Sequence, residues 1–588
     1  MSPFSEVSQL LQLDYLSLRA YLYEREHEHT AMLRLQELEN VWHCSRKNAK
    51  RKLHKLVSEY DCTYIPGRGR GNQSEICFAT DFYEDLLDFI QLCLQQQDME
   101  QLLQVLQLPF PRQWIGDLQK PIQEQLGLQS TTLGKDVLHA ITTFPVTNLD
   151  PAFVSITYDS MLSALIGDTL LRYDADQNEL VPHLAIGWEV DEQGLTWTIY
   201  LRKQVWFHHH RALTSRDVKF SMERLMHSAS PNHWLARDIA SIDCPSPLVA
   251  RIILHHSNPL FGRYLASTPM IILPEDGENT DSFFIGTGPY RIVSCQQNRV
   301  VLHAFDSHFR ERAYMDEIHC WQMPPERAHL IQYDIPSTGT VPFNAAYDRP
   351  TELGYRFAMF NTKHSSTMRD RMLRKALNEL LDMETMWKEL GRTGLIPASH
   401  FFPWRSTLVR KSLTDAKRWL ASSSYSGEKL RLYMLDIPEA WEEAGWIQQR
   451  ALCIGIHIEL HPYSFKDVHD STNDPHMDII LSGEVSSLDP HLSVLAAFRS
   501  DALAFRRYLC DEQLEWIDSQ FVLFQHENAE ERERRIDRIV QYVVDEACIG
   551  FMHHPQHVRP IHPMLQPVQY DSFGFADLYK LWTPPLKN

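Results

Sequence analysis

No stretch of this sequence approaches the roughly 18 consecutive apolar residues that a membrane-spanning helix needs, so no membrane partner is expected. Its ten cysteines (Cys44, Cys62, Cys77, Cys93, Cys244, Cys295, Cys320, Cys453, Cys510, Cys548) stand far apart with no CxxC pair. That excludes a zinc ribbon or a thioredoxin-like motif, and in a reducing compartment such cysteines read as small buried hydrophobes. A GxSxG elbow, a Walker A loop and a dinucleotide fingerprint are also missing, and the chain is not expected to be an enzyme. The 29 histidines do not change this. Their densest groups, His208-His209-His210 and His553, His554 and His557, have neither HExxH spacing nor neighbouring cysteine ligands, so no metal or cofactor is expected. Residues 24–30 (EREHEHT) read as a solvated helix face or a turn. Residues 1–30 show no basic n-region, no uninterrupted apolar stretch and no small-residue cleavage site, so a cytoplasmic location is expected.

What is present is ordinary in bulk and uneven in detail. The 588 residues are 44% hydrophobic and 23% charged, values that suit a globular chain of about two to four domains. The net charge of −19 argues against a nucleic-acid coat. Residues 81–588 hold 46 Lys and Arg against 66 Asp and Glu. Residues 46–70 invert that balance: Arg46, Lys47, Lys50, Arg51, Lys52, Lys55, Arg68 and Arg70 face only Glu59 and Asp61. One basic window in an acidic chain points to a localised anion-binding surface.

The window has a recognisable order. Leu33, Leu35, Leu38 and Val41 lie on one face of a helix expected over 33–42, which His43-Cys44-Ser45 then breaks. Ser45 suits the N-cap of a second helix, in which Ala49, Leu53, Leu56 and Val57 form an apolar stripe. Lys47, Arg51, His54 and Lys55 fall opposite that stripe, with Asn48 and Lys50 beside them. Two short β-rich runs, Thr63–Ile65 and Glu75–Phe78, then flank a Pro/Gly/Asn turn carrying Arg68 and Arg70. A charge run alone also fits a merely solvated helix face. The ordered set of capped basic helix, opposed apolar stripe and basic hairpin fits a winged helix-turn-helix better. Ser45, Arg46, Lys47, Asn48, Lys50, Arg51, His54 and Lys55 are then the candidate reading residues, with Arg68 and Arg70 contacting backbone or minor groove. Double-stranded promoter DNA is the expected partner.

Residues 81–108 carry apolar residues at helical spacing and read as one or two helices, and Pro109–Lys135 as a linker. Beyond residue 136, short apolar strands alternate with helices. GTGPY (286–290) does not fit GxGxxG and reads as a turn entering the strand RIVSC.

Residues 149–225, opening LDPAFVSITYDSMLSALIGDTLLRY, resemble the start of the family 5 extracellular solute-binding proteins, the oligopeptide, dipeptide and nickel receptors of ABC importers. IGTGPYRIV (285–293), AFDSHFRERAYMDEI (304–318), YRFAMFNTKHSSTMRDRMLRKALNELLD (355–382), IGIHIELHPYSF (454–465) and LSGEVSSLDP (481–490) follow in the family's order. A winged helix ahead of such a domain resembles the SgrR-type transcriptional regulators. The resemblance implies a multidomain chain: a winged-helix DNA-binding domain (α+β) over 1–80, a helical connector and linker over 81–135, and a two-lobed α/β periplasmic-binding-protein-like domain over 136–588. One lobe is expected from about 136–330 plus 551–588, the other from about 331–550. It also implies a cytoplasmic regulator sensing a small-molecule effector, with RNA polymerase as a further partner. The alternative is a receptor delivering a solute to an importer.

The resemblance also places ligand contacts. Peptide receptors of family 5 hold the ligand's amino terminus with an aspartate four residues before the proline of the late motif. The matching position here is Ser486, with Asp489 directly before Pro490. An ammonium ion needs a carboxylate in a dry site, so ordinary peptide binding is not expected. Trp404, in FFPWRS, is a residue that could stack on a ligand or pack in the core.

Overall fold

The computed structural model describes residues 3–42, 44–60, 62–67, 73–96, 98–111, 114, 127–130, 135–175, 177–296, 298–323, 354–468, 470–485, 487, 489–555 and 578–581. The chain divides into two compact units. The first comprises residues 1–143, 319–335 and 560–563, the second residues 144–318, 336–559 and 564–588. Among the described residues no helix is long and apolar enough to cross a membrane.

The first unit opens with α1 (Pro3–Leu22), whose Leu16, Leu18 and Leu22 are buried. Residues 24–30 then form a turn: His27 and Thr30 exchange backbone hydrogen bonds of 2.9 Å, with Glu28 and His29 left-handed at φ 48° and 61°. The turn leads into β1 (Thr30–Leu33), where Ala31 and Leu33 point inward and Met32 outward. Leu33 therefore does not begin a helix as its spacing suggested; period two won over period 3.6 at this position. Next come α2 (Leu35–Val41), α3 (Arg46–Glu59), β2 (Cys62–Ile65) and β3 (Ser74–Phe78). The strands pair antiparallel in the order β1-β3-β2, so the expected hairpin gains a third strand from upstream.

The stretch after the hairpin forms two helices, α4 (Phe82–Gln96) and α5 (Met99–Leu106), and Asp98 caps the second by accepting from Gln101 N at 3.1 Å. Arg19 ties α1 to this region from a fully buried position. Its guanidinium donates to Asp85 at 2.9 Å and Glu26 at 2.8 Å and lies 4.1 Å above the Phe78 ring. A buried charge is tolerated because every side of it is paired. Further strands, β4 (Gly127–Ser130) and β5 (Asp136–Thr142), pair antiparallel, so the Pro-containing stretch expected as a linker contains a strand.

In the second unit β6 (Leu171–Asp174) and β7 (Glu179–Pro182) form a hairpin. β8 (Ala185–Val190), β9 (Thr196–Leu201), β10 (Ile239–Ser246) and β11 (Val249–Leu254) make an antiparallel sheet in the order β10-β11-β9-β8. Trp197, Ile199 and Leu201 alternate into its core. Helix Ser215–His227 starts at Thr214, whose backbone N and hydroxyl both donate to Asp217 Oδ2, at 2.8 and 3.0 Å. A hairpin of β12 (Tyr290–Gln296) and β13 (Arg299–Ala304) follows; β14 (Glu317–Gln322) comes next in sequence, its residues 319–322 belonging to the first unit. A second sheet of β15 (Gly354–Phe360), β16 (Lys429–Leu435), β17 (His457–Tyr463), β18 (Ile479–Val485) and β19 (Ile549–Phe551) has the order β17-β16-β18-β15-β19. Here β16 runs parallel to β17 and β18, while β15 is antiparallel to β18 and β19. Along β15, Phe357 and Met359 enter one apolar core and Ala358 and Phe360 another, so the strand is hydrophobic throughout because both faces are covered.

Several of the recurring motifs meet at one buried carboxylate. Asp168 accepts from His183 Nε2 at 2.6 Å and Thr287 Oγ1 at 2.8 Å, and His308 Nε2 lies 3.8 Å away. The glycines of GTGPY serve close backbone approach: a Cβ on Gly286 would come 2.0 Å from Ile166 O, and one on Gly288 2.5 Å from Leu165 O. Gly288 N instead donates to Ile166 O at 2.9 Å.

Candidate nucleic-acid interface and solute-binding region

Helix α3 buries Ala49, Leu53 and Leu56, at positions i, i+4 and i+7, against the first unit's core. The opposite side carries Ser45, Arg46, Lys47, Asn48, Lys50, Arg51, His54 and Lys55, all exposed. Lys47, Lys50, Arg51 and Lys55 form no ion pair among the described residues, and Arg46 reaches Glu39 only at 3.9 Å. Lys52 behaves differently, because its Nζ lies 2.8 Å from Asp14 on α1 and 5.8 Å from the Trp42 ring. It is a packing residue. Ser45 occupies the N-cap position in extended conformation, and its carbonyl accepts from Ala49 N at 2.9 Å. Its hydroxyl makes no capping bond, contrary to the expectation, and remains at the exposed end of the basic face.

The hairpin beside this helix is held at its throat. Ser74 Oγ accepts from Tyr64 OH at 2.9 Å and from Gly67 N at 3.2 Å. Arg68 and Arg70, expected at the tip, lie outside the described residues.

In the second unit Asp489 is buried and fully engaged. Its Oδ1 accepts from Leu492 N at 3.1 Å, capping helix Pro490–Arg499, and both oxygens lie 3.0–3.1 Å from Arg263 Nη1. Arg263 also donates to Asn178 and stacks 4.6 Å over Tyr173. Trp404 has separate partners: it is 57% exposed and lies flat on Phe402 at 4.9 Å. Core packing therefore does not account for it. Glu484, unremarked in the sequence, is buried in β18, and burial pushes its carboxyl up to about 8 against the opposing pull of Ala504 N–H and Arg356.

The histidine clusters are occupied by structural bonds. His208 Nε2 sits 3.1 Å from Gly288 O, and His209 pairs with Asp276 at 3.3 Å. His554 bridges Gly354 O and Ser406 Oγ at 2.6 and 2.7 Å, and burial lowers it to about 4. His557 lies outside the described residues. Among the described residues no group of three His, Cys, Asp or Glu side chains could hold a metal ion.

Comparison with known proteins places both units. Residues 179–504 match the bacterial extracellular solute-binding proteins, family 5 Middle. The chain belongs to that family. Residues 14–131 match the domain described as sugar transport-related sRNA regulator N-term, so a family 5 domain follows an SgrR-type N-terminal domain. The chain is 29% identical over 447 residues to YhjP of Bacillus subtilis, covering 72% of this chain and 74% of that protein. It is 29% identical over 353 residues to the HTH-type transcriptional regulator SgrR of Yersinia enterocolitica, covering 59% of this chain and 61% of the regulator. Among solved structures, the dipeptide binding protein of Pseudoalteromonas sp. SM9913 in complex with Met-Leu superposes with a TM-score of 0.65 at 17% identity. That match covers 76% of this chain and all 100% of that one, and it shows the fold.

Ser486 of the late motif, expected at the position that faces a ligand's amino terminus, lies outside the described residues. The carboxylate nearest the motif's proline, Asp489, is already bound to Arg263. That partner stands 226 residues away, and no local spacing signals it.

Proposed function

We propose that this chain is a cytoplasmic transcriptional regulator that binds promoter DNA through the exposed face of α3 and the β2–β3 wing. On this reading its family 5 domain takes up a small-molecule solute, and occupancy changes DNA binding. The observation that carries it is the row of exposed basic side chains on α3 in an otherwise acidic chain, with Lys47, Lys50, Arg51 and Lys55 in no ion pair among the described residues, on the same polypeptide as a solute-binding fold. The name of the Yersinia relative supports the DNA-binding half. Ser486 in place of an aspartate, and Asp489 held by Arg263, favour a solute that is not a peptide gripped by its amino terminus. Trp404, 57% exposed and stacked on Phe402, is the residue we assign to stack on this solute.

Gel-shift titration of the purified chain against bound genomic fragments tests the reading. Sequence-preferring binding whose affinity falls steeply with salt is expected, because displaced counterions set the electrostatic part of the affinity. Absence of any preference over random DNA at low salt would refute it.

A further inference from the structure

A cavity of about 400 Å³ opens in the second unit, between segments flanking β10 and β11 and the helices that follow β18. Trp234, Tyr264 and Leu495 supply its apolar wall, and Arg237, Arg499 and Gln525 its polar side. Its charge is unbalanced. Arg237 is exposed and makes no ion pair among the described residues. Arg499 reaches Asp518 only at 3.6 Å, and that carboxylate is engaged more closely by Arg506 at 2.9 Å. Among the lining residues Asp238 is the one carboxylate, and its Oδ2 already accepts from Asn258 at 2.9 Å. His255 and His256 add no negative charge to the rim.

A second observation points to an occupant. Gln525 Nε2 reaches the Tyr264 hydroxyl only at 3.5 Å, so this lining amide has donor capacity to spare. Surplus donors and cations around a space far larger than one water describe a receptor for oxyanions.

We propose that this cavity binds the carboxylate or phosphate group of a small anion, with Arg237 and Arg499 holding the charge and the Gln525 amide donating alongside. The flat rings and Leu495 leave room for an apolar remainder. Because the walls come from segments around both sheets, an occupant would hold them together beside the Arg263–Asp489 pair. Occupancy is measured without DNA, so this site stands or falls separately from the regulator reading.

The test uses the full chain, with inorganic phosphate and citrate as probes and chloride at matched ionic strength as control. Calorimetric titration is expected to show saturable binding of one or both, and the successful probe identifies the chemistry. Arg237→Ser, at an exposed unpaired position, should leave the fold intact and weaken binding about tenfold, the worth of roughly one charge-assisted bond. Binding absent for both probes, or unchanged in Arg237→Ser, overturns the proposal.

Discussion

Glu484 shows how one side chain can carry a measurable signature of its surroundings. Its carboxyl is buried between β15 and the segment starting at Ala504, and desolvation raises it from an ordinary 4.5 to about 8. Between those two values the folded chain keeps a proton that the unfolded chain has released. Stability must therefore fall as pH rises through that window and level off above it. Glu484→Gln replaces the acid with a neutral shape and removes the fall. The variant should gain on the natural chain from about pH 5 to about pH 8, by an order of about 2–5 kcal/mol if the shift is fully expressed. Denaturation at a series of pH values measures this, and parallel profiles for the two proteins would mean that Glu484 titrates normally. The Arg263–Asp489 pair belongs to the same scale. Breaking a buried pair leaves an uncompensated charge, which explains why both partners reach further bonds in Asn178 and Leu492.

Helix α3 is the element in which sequence and structure agree most closely. Its stripe of Ala49, Leu53 and Leu56 needs only the 3.6-residue period, and the basic residues fall opposite by the same arithmetic. The structure separates what composition lumped together. Lys52 is paired with Asp14, whereas Lys47 and Arg51 are exposed and make no ion pair among the described residues. Lys47→Ala with Arg51→Ala should accordingly weaken operator binding, by about 1–3 kcal/mol for each side chain that reads a base edge, with the fold unchanged. Lys52→Ala should cost up to about 1 kcal/mol of stability, the worth of a partly exposed pair, with a smaller effect on DNA. Fluorescence anisotropy beside thermal melts distinguishes the two outcomes, and equal DNA affinity in the double variant would remove α3 as the reader. The hairpin is legible for the same local reason as α3: two β-rich runs around a turn. β1 is not, because its four residues make sense only once β3, some 40 residues on, lies beside them. The same holds for the solute-binding unit. Asp168 joins His183 of its own motif to Thr287, 119 residues on, so the motifs announce a family without disclosing their geometry.

At the scale of the whole molecule the question is how a solute in one unit could alter DNA binding by the other. A ligand shifts operator affinity only by binding the competent and incompetent forms of the chain with different affinity. On the proposed reading the second unit supplies two such forms, the buried Arg263–Asp489 pair being one contact that could differ between them. A coupling of about 1–3 kcal/mol would change DNA affinity roughly 5- to 150-fold. A thermal-shift screen of metabolites on the full chain should first yield a solute that raises the melting temperature by mass action. That solute should then move the operator affinity of the same protein within this range. By reciprocity, operator DNA must change the solute's affinity by the same factor, so the two titrations check each other. A solute that binds saturably yet leaves operator affinity, polymerase recruitment and assembly state unchanged would separate the two units functionally and end the sensor reading.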